Sequence, residues 1–168
     1  FSISPAGEIE YDLKVGVQSL YIEQLRDNLT TFQKTEVVRD LSAPGPSPTV
    51  AAGQIFTRGR FCRDVPYDPQ LYFGGEEINL AARAYTNGYD LFYPNENLIW
   101  HLYGHDQPKH WDDHSDHTDR DRQAVDRLRT LFQGDHRSLG RYGLGSVRPL
   151  ASFERHAGIR LRQSSRDN

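Results

Sequence analysis

Three prolines stand within seven residues of the chain, at Pro44, Pro46 and Pro48. Each proline fixes its φ angle and lacks a backbone N–H, so neither a helix nor a central strand can run through residues 42–48. The segment predicts an extended loop or linker. It divides the 168 residues into an N-terminal part, residues 1–47, and a longer part, residues 48–168.

The composition excludes several classes of protein. Only 36% of the residues are hydrophobic, the mean hydropathy is −0.73, and no apolar run reaches the roughly 20 residues that span a bilayer. The single cysteine, Cys62, excludes a disulfide framework and a multi-cysteine zinc site, and it fits a reducing compartment. A net charge of −3 argues against a nucleic-acid binder.

The chain contains no Met and begins at Phe1. An intact reading frame starts with Met, and a globular chain of this length usually carries a few more. We therefore expect a fragment of a larger protein.

Apolar periodicity and turn residues predict both helices and strands. The segments predicted to be helical are residues 15–32, 76–87, 116–133 and 150–156, with Gly88, Gly134 and Gly158 as C-terminal stops. The segments predicted to be extended are residues 89–93 and 98–103, and residues 50–56 are predicted to form a further short element. This mixture indicates the α/β or α+β class.

The sequence Gly74-Gly75-Glu76-Glu77 directly precedes the second predicted helix. Paired glycines allow a sharp turn and a close approach of the backbone to a ligand. The two carboxylates fall in the first helical turn, where the helix dipole favours their ionised form. They are suited to binding sugar hydroxyls or stabilising a developing cation, and equally to forming an ordinary acidic first turn.

Five of the seven histidines lie between residues 101 and 117. His101 follows an apolar stretch, where a neutral imidazole can bind a divalent metal or form a structural hydrogen bond. His110, His114 and His117 are interleaved with Asp and Ser. This spacing fits either a metal-binding domain or a solvated loop before a helix.

A long ordered series of residues between positions 48 and 160 resembles the glycosyltransferases related to cytoplasmic protein-hydroxyproline N-acetylglucosaminyltransferases. The residues that carry the resemblance are Ala52-Gly53, Phe56, Val65-Pro66-Tyr67-Asp68-Pro69, Leu71-Tyr72-Phe73-Gly74-Gly75-Glu76-Glu77, Arg83, Tyr85-Thr86, Gly88-Tyr89-Asp90, Pro94, His101, Tyr103, Tyr142-Gly143-Leu144-Gly145, Arg148, Phe153-Glu154 and Gly158-Ile159.

The chain is also distantly similar to the polypeptide N-acetylgalactosaminyltransferases. That family carries a Gly-Gly-Glu motif, then a helix, then a manganese-binding His, and here Glu76 and His101 stand 25 positions apart. Both families are retaining enzymes of the GT-A type that use a UDP-sugar donor and a divalent cation. The resemblance implies that His101 is a metal ligand and that Glu76, with Glu77 as the less certain second carboxylate, lies beside the donor sugar.

The fold implied by this resemblance is α/β, namely the C-terminal portion of a GT-A fold with a mixed sheet flanked by helices. The implied activity is retaining transfer of N-acetylglucosamine, or a similar sugar, from a UDP-sugar to a hydroxyl acceptor on a protein or glycan in the cytoplasm. Mn²⁺, or alternatively Mg²⁺, would neutralise the diphosphate leaving group. The residues expected to shape the donor and acceptor cleft, or in part to pack in the core, are Tyr72, Phe73, Gly74, Gly75, Trp100, Tyr103 and Arg148.

The chain departs from the family pattern in its first 60 residues, which contain no Asp-x-Asp or Asp-x-His element. We therefore expect residues 48–168 to be the acceptor and metal half of the domain, inactive alone. We expect residues 1–47, a helix and a linker, to belong to or pack on a missing donor-binding half. Two alternatives remain, namely a non-catalytic carbohydrate- or protein-binding module of this fold and a His-rich metal-binding domain.

Overall fold

The computed structural model describes residues 2–3, 9–10, 17–38, 40–99 and 108–162. Six helices follow one another in these ranges, separated by loops. They are α1 (Phe61–Asp64), α2 (Glu76–Thr86), α3 (His110–Asp113), α4 (His117–Phe132), a 3₁₀ helix (His136–Tyr142) and α5 (Leu150–Ala157). The predictions of α2, α4 and α5 are confirmed, as is the left-handed Gly88 after α2 and the left-handed Gly158 that caps α5.

The helix predicted over residues 15–32 is wrong, because this part of the chain forms an antiparallel hairpin. Strand β3 (Val17–Leu25) pairs with β4 (Thr31–Val38), and a bulge lies between Ile22 and Gln24. Asn28 accepts hydrogen bonds from the backbone N and the side-chain hydroxyl of Thr30, which closes the turn. Strand β4 is rich in β-branched residues, and this preference together with the Asp27-Asn28 turn outweighs the helical spacing of the apolar residues.

The remaining strands are very short. Strands β1 (Ser2–Ile3) and β2 (Ile9–Glu10) pair with each other, and β5 (Gly45–Pro46) pairs with β6 (Phe92–Tyr93). All three sheets in the described ranges are two-stranded and antiparallel, so the expected mixed sheet is not seen there. The proline-rich segment is a loop as predicted except for β5, which is only two residues long and so tolerates Pro46 at a sheet edge.

The three remaining predicted elements also differ from the structure. Residues 50–56 form an irregular loop, and Phe56 at its end is 94% exposed. Only Phe92 and Tyr93 are extended in residues 89–93, while Leu98 and Ile99 are irregular and residues 100–103 lie outside the described ranges. The described residues of these segments contribute to the surface of a pocket, and only Phe92 and Tyr93 take part in a sheet.

The core lies between α2, α4 and α5. The buried side chains include Ile78 and Ala81 of α2, Leu128 and Leu131 of α4, and Phe153 of α5. Leu29, from the turn of the hairpin, is also part of this core, with a φ of 65°. None of the helices in the described ranges has both the length and the apolarity needed to cross a membrane.

The start of α2 is held against α4 by a glycine turn. Gly74 and Gly75 have φ angles of 77° and 95°, in the left-handed region that other residues rarely adopt. A Cβ on Gly75 would lie 2.4 Å from Cδ1 of Leu128, which is fully buried in the core. The backbone of this turn therefore packs directly on α4.

We predict that Gly75→Ala destabilises the protein by about 3 kcal/mol, because it combines backbone strain with a clash in the core. Gly158→Ala is the matched comparison, since Gly158 has a φ of 68° but open space around its Cβ position, and it should cost about 1 kcal/mol. Urea unfolding of both variants measures the difference. Equal losses of unfolding free energy in the two variants would show that the contact with Leu128 does not constrain the turn.

Candidate functional site

Glu77 is held by two hydrogen bonds from segments that are distant in sequence. Its Oε1 accepts from the backbone N of Ala52 at 2.8 Å, and its Oε2 accepts from Nε2 of Gln33, on strand β4, at 2.7 Å. Partial burial raises the pKa of Glu77, the bond from Ala52 lowers it, and the negative charge of Glu76 raises it again. The carboxyl group is fixed in position and is easier to protonate than an ordinary glutamate.

Glu76 and Tyr67 lie close to this carboxyl group. Oε2 of Glu76 is buried and has no hydrogen-bond partner among the described residues. Tyr67 is 53% exposed. Partial burial and then the charges of Glu76, Glu77 and Asp68 raise the pKa of Tyr67 to about 12. Its hydroxyl group therefore remains a hydrogen-bond donor beside two acidic side chains at neutral pH.

Glu77 forms part of the wall of a pocket of about 400 Å³. The hairpin contributes Leu20 and Thr35, and the loop from Thr49 to Thr57 forms another side. Aromatic side chains are prominent in the lining, namely Phe56, Phe61, Tyr89, Phe92 and Tyr93. A pocket with apolar rings and one oriented carboxyl group suits a ligand that has both hydroxyl groups and a C–H face, such as a sugar.

Tyr72 and Phe73, which precede the glycine turn, do not line this pocket. The hydroxyl of Tyr72 lies 2.9 Å from Nδ1 of His114, and Arg120 lies over the Tyr72 ring. Phe73 packs edge-on against Trp111 of α3. The structure therefore places both rings against the residues around α3 and the start of α4.

Arg148 lies on the opposite side of the pocket wall. Its guanidinium stacks over the ring of Tyr85 and forms an ion pair with Asp90 at 2.9 Å. It also donates a hydrogen bond to the carbonyl of Tyr89 at 3.3 Å. Since Tyr89 and Asp90 line the pocket, Arg148 supports the wall through these two residues and does not itself line it.

The chain also matches a known protein family. A family described as Glycosyltransferase (GlcNAc) matches residues 24–163. The chain belongs to this family. It is thus an enzyme of sugar transfer, which binds a sugar donor and an acceptor. No curated protein and no solved structure matches the chain.

Three residues expected at the site of this glycosyltransferase, Trp100, His101 and Tyr103, lie outside the described residues. His114 contacts Tyr72, and His117 begins α4. In the ranges that the structure describes, no group of three or more His, Cys, Asp or Glu side chains is placed to hold a metal ion.

Three residues near Glu77 were not among the expected site residues, and none of them is part of the pocket lining. Gln33 lies 44 positions from Glu77, and nothing in its sequence surroundings indicates the contact. Tyr67 and Ala52 stand in segments that carry the family resemblance. The family resemblance therefore pointed to the segments that contain these two residues.

We predict that Glu77→Gln changes how stability depends on pH. The folded-state pKa of Glu77 lies above its usual value of 4.5, so the folded state binds the proton more tightly than the unfolded state does. The contribution to stability is present below pH 4.5 and is lost as the pH rises through the folded pKa. The variant should therefore gain in stability relative to the wild type between pH 4 and pH 7.

Chemical unfolding at several pH values measures this difference. Glu36→Gln, at an exposed position on β4, removes the same charge and is the control. A constant difference between Glu77→Gln and the wild type across this range would contradict the raised pKa.

Proposed function

We propose that this enzyme transfers N-acetylglucosamine, or a similar sugar, from a UDP-sugar to a hydroxyl group of a protein or glycan, with retention of configuration. The observation that carries the proposal is the position of Glu77. It is an oriented carboxyl group on the wall of an aromatic-lined pocket, directly after a glycine turn. The family match supports sugar transfer in general. The choice of donor and the stereochemistry rest on the resemblance to retaining UDP-sugar enzymes.

The pocket provides two kinds of contact for a sugar. The rings of Phe61, Tyr89 and Tyr93 offer apolar surface for the C–H face. Each oxygen of Glu77 accepts one protein hydrogen bond and retains a second lone pair. We infer that these lone pairs accept hydrogen bonds from sugar hydroxyls.

In the reaction, the bond between the anomeric carbon and the diphosphate oxygen breaks, and the acceptor oxygen forms the new bond. Positive charge develops at the anomeric carbon, and a carboxylate placed nearby stabilises it. We assign this role to Glu76, whose Oε2 is buried without a protein partner among the described residues. The raised pKa of Glu77 makes it a suitable base for the departing hydroxyl proton. We assign no covalent nucleophile.

The resemblance implies a divalent cation, Mn²⁺ or Mg²⁺, with His101 as a ligand. A bound cation would neutralise the diphosphate leaving group. The described residues provide no three-ligand group for it. The remaining ligands would come from elsewhere in the full-length protein.

The wider proposal rests on the same resemblance. The chain would be the C-terminal portion of a GT-A domain, with residues 48–168 as the acceptor and metal half. Residues 1–47 would belong to or pack on the donor-binding half, which would be its principal partner. The resemblance to cytoplasmic enzymes favours a cytoplasmic location.

We predict different kinetic effects for the two glutamates in the full-length enzyme. Glu76→Gln should lower kcat at least about 100-fold, because it removes charge stabilisation in the transition state. Glu77→Gln should also raise the KM for the donor about 10-fold, because a hydrogen bond to a charged group is lost. Steady-state transfer from UDP-N-acetylglucosamine measures both, with Glu36→Gln as the control.

Unchanged kcat in Glu76→Gln would reduce this residue to a structural role at the helix start. Donor binding without transfer by the wild-type full-length protein, measured by calorimetry, would instead favour a non-catalytic carbohydrate-binding module. Equal kinetics of Glu77→Gln and the Glu36→Gln control would remove Glu77 from the sugar site.

We predict that His101→Ala weakens Mn²⁺ binding by the full-length protein at least about 10-fold, measured by titration calorimetry. The double substitution His114→Ala/His117→Ala is the comparison, and it should leave Mn²⁺ binding unchanged. If Mn²⁺ binding were instead lost only in the double variant, this result would favour the His-rich metal-binding domain.

A further inference from the structure

Three arginine side chains surround the ring of Tyr142. The guanidinium carbons of Arg83, Arg127 and Arg141 lie 5.6, 5.6 and 5.9 Å from the centre of that ring. We refer to these four residues as the Tyr142 arginine cluster. Each arginine comes from a different element, since Arg83 is on α2, Arg127 on α4 and Arg141 in the 3₁₀ helix.

The cluster has more positive charge than the described residues around it balance. Arg127 pairs with the buried carboxylate of Asp68 at 2.7 Å. Among the described residues, the guanidinium of Arg83 donates only to neutral acceptors, namely Oδ1 of Asn79 at 3.2 Å and the carbonyl of Arg141 at 3.1 Å. The guanidinium of Arg141 forms no ion pair with any described residue.

The burial of Arg83 increases the free-energy cost of this excess positive charge. Arg83 is only 1% exposed. Burial is the largest cause that lowers the pKa of Arg83, and the charges of Arg127 and Arg141 act in the same direction, against Asp68 and Tyr142. A buried charge without a counter-charge is normally avoided in proteins. An anion bound at the cluster would remove this cost.

Two buried donors at the cluster also have no acceptor. Nε of Arg83 and Nδ2 of Asn79 have no hydrogen-bond partner among the described residues, and Asn79 is 1% exposed. Buried polar atoms are nearly always paired, so each such atom indicates a missing partner. Both atoms are donors, which points to an acceptor-bearing group.

The loop that carries Arg141 and Tyr142 is fixed against α2. The backbone N of Gly145 donates to Oγ1 of Thr86 at 2.9 Å, and a Cβ on Gly145 would lie 2.5 Å from the backbone of Thr86. A Cβ on Gly143 would lie 2.4 Å from the carbonyl of His136. The arginine positions are therefore set before any ligand binds, which reduces the entropic cost of binding.

We propose that the Tyr142 arginine cluster binds a small phosphate-bearing ligand, with Arg141 at its exposed edge as the principal contact. Guanidinium groups bind phosphate oxygens through paired, charge-assisted hydrogen bonds. None of the cluster residues lines the aromatic pocket. The site thus serves either the diphosphate of a nucleotide donor or a separate phosphorylated small molecule.

Inorganic phosphate tests the site directly. Titration calorimetry at fixed ionic strength should show phosphate binding to the wild-type chain that Arg141→Gln weakens at least about 10-fold. Arg141→Gln keeps the carbonyl that accepts from Arg83, so the fold should be retained. Arg160→Gln, which removes an exposed arginine outside the cluster, should leave the affinity unchanged. Arg141→Lys should restore only part of it, because lysine lacks the planar fork.

The outcomes distinguish the two sources of phosphate. Displacement of phosphate by UDP would identify the diphosphate of the donor, and phosphate binding that UDP does not displace would identify a separate phosphorylated ligand. An equal loss of phosphate affinity in Arg141→Gln and Arg160→Gln would indicate non-specific electrostatic attraction and would overturn the proposal. No phosphate binding by the folded wild-type chain would overturn it as well.

Discussion

The contact between the backbone of Gly75 and the side chain of Leu128 determines where α2 begins, and the rest of the site depends on that start. A Cβ at position 75 would overlap the Leu128 side chain, so only glycine allows the turn to pack this closely on α4. From this fixed start, successive positions of α2 point to different surroundings. Glu77 faces the aromatic pocket, Ile78 and Ala81 enter the core, and Arg83 reaches the Tyr142 ring.

One helix thus separates two regions of opposite charge. The first turn of α2 carries the two glutamates, where the helix dipole partly compensates their negative charge. Arg83 lies two turns further on, beside Arg127 and Arg141. Asp68 lies between these regions, since its charge acts on both Tyr67 and Arg83. A ligand with a neutral hydroxylated part and an anionic part would find matching surroundings at the two ends of this helix.

The helices around the core could be predicted from the sequence because their signals are local. An apolar period of 3.6 residues and a terminal glycine specify α2, α4 and α5 without reference to the rest of the chain. The hairpin was missed because the spacing of its apolar residues also fits a helix, and the deciding signals were the Asp27-Asn28 turn and the β-branched residues of β4. The motif Gly74-Gly75-Glu76-Glu77 correctly predicts where α2 begins. The donors to Glu77, from Gln33 and Ala52, come from segments that only the tertiary structure brings together.

The hairpin is part of the pocket and does more than support it. Gln33 supplies one of the two donors that hold Glu77, and Leu20 and Thr35 form part of the wall. If the hairpin moved away, the carboxylate would keep only the donor from Ala52. The position of the hairpin therefore determines both the shape of the pocket and the orientation of its carboxylate.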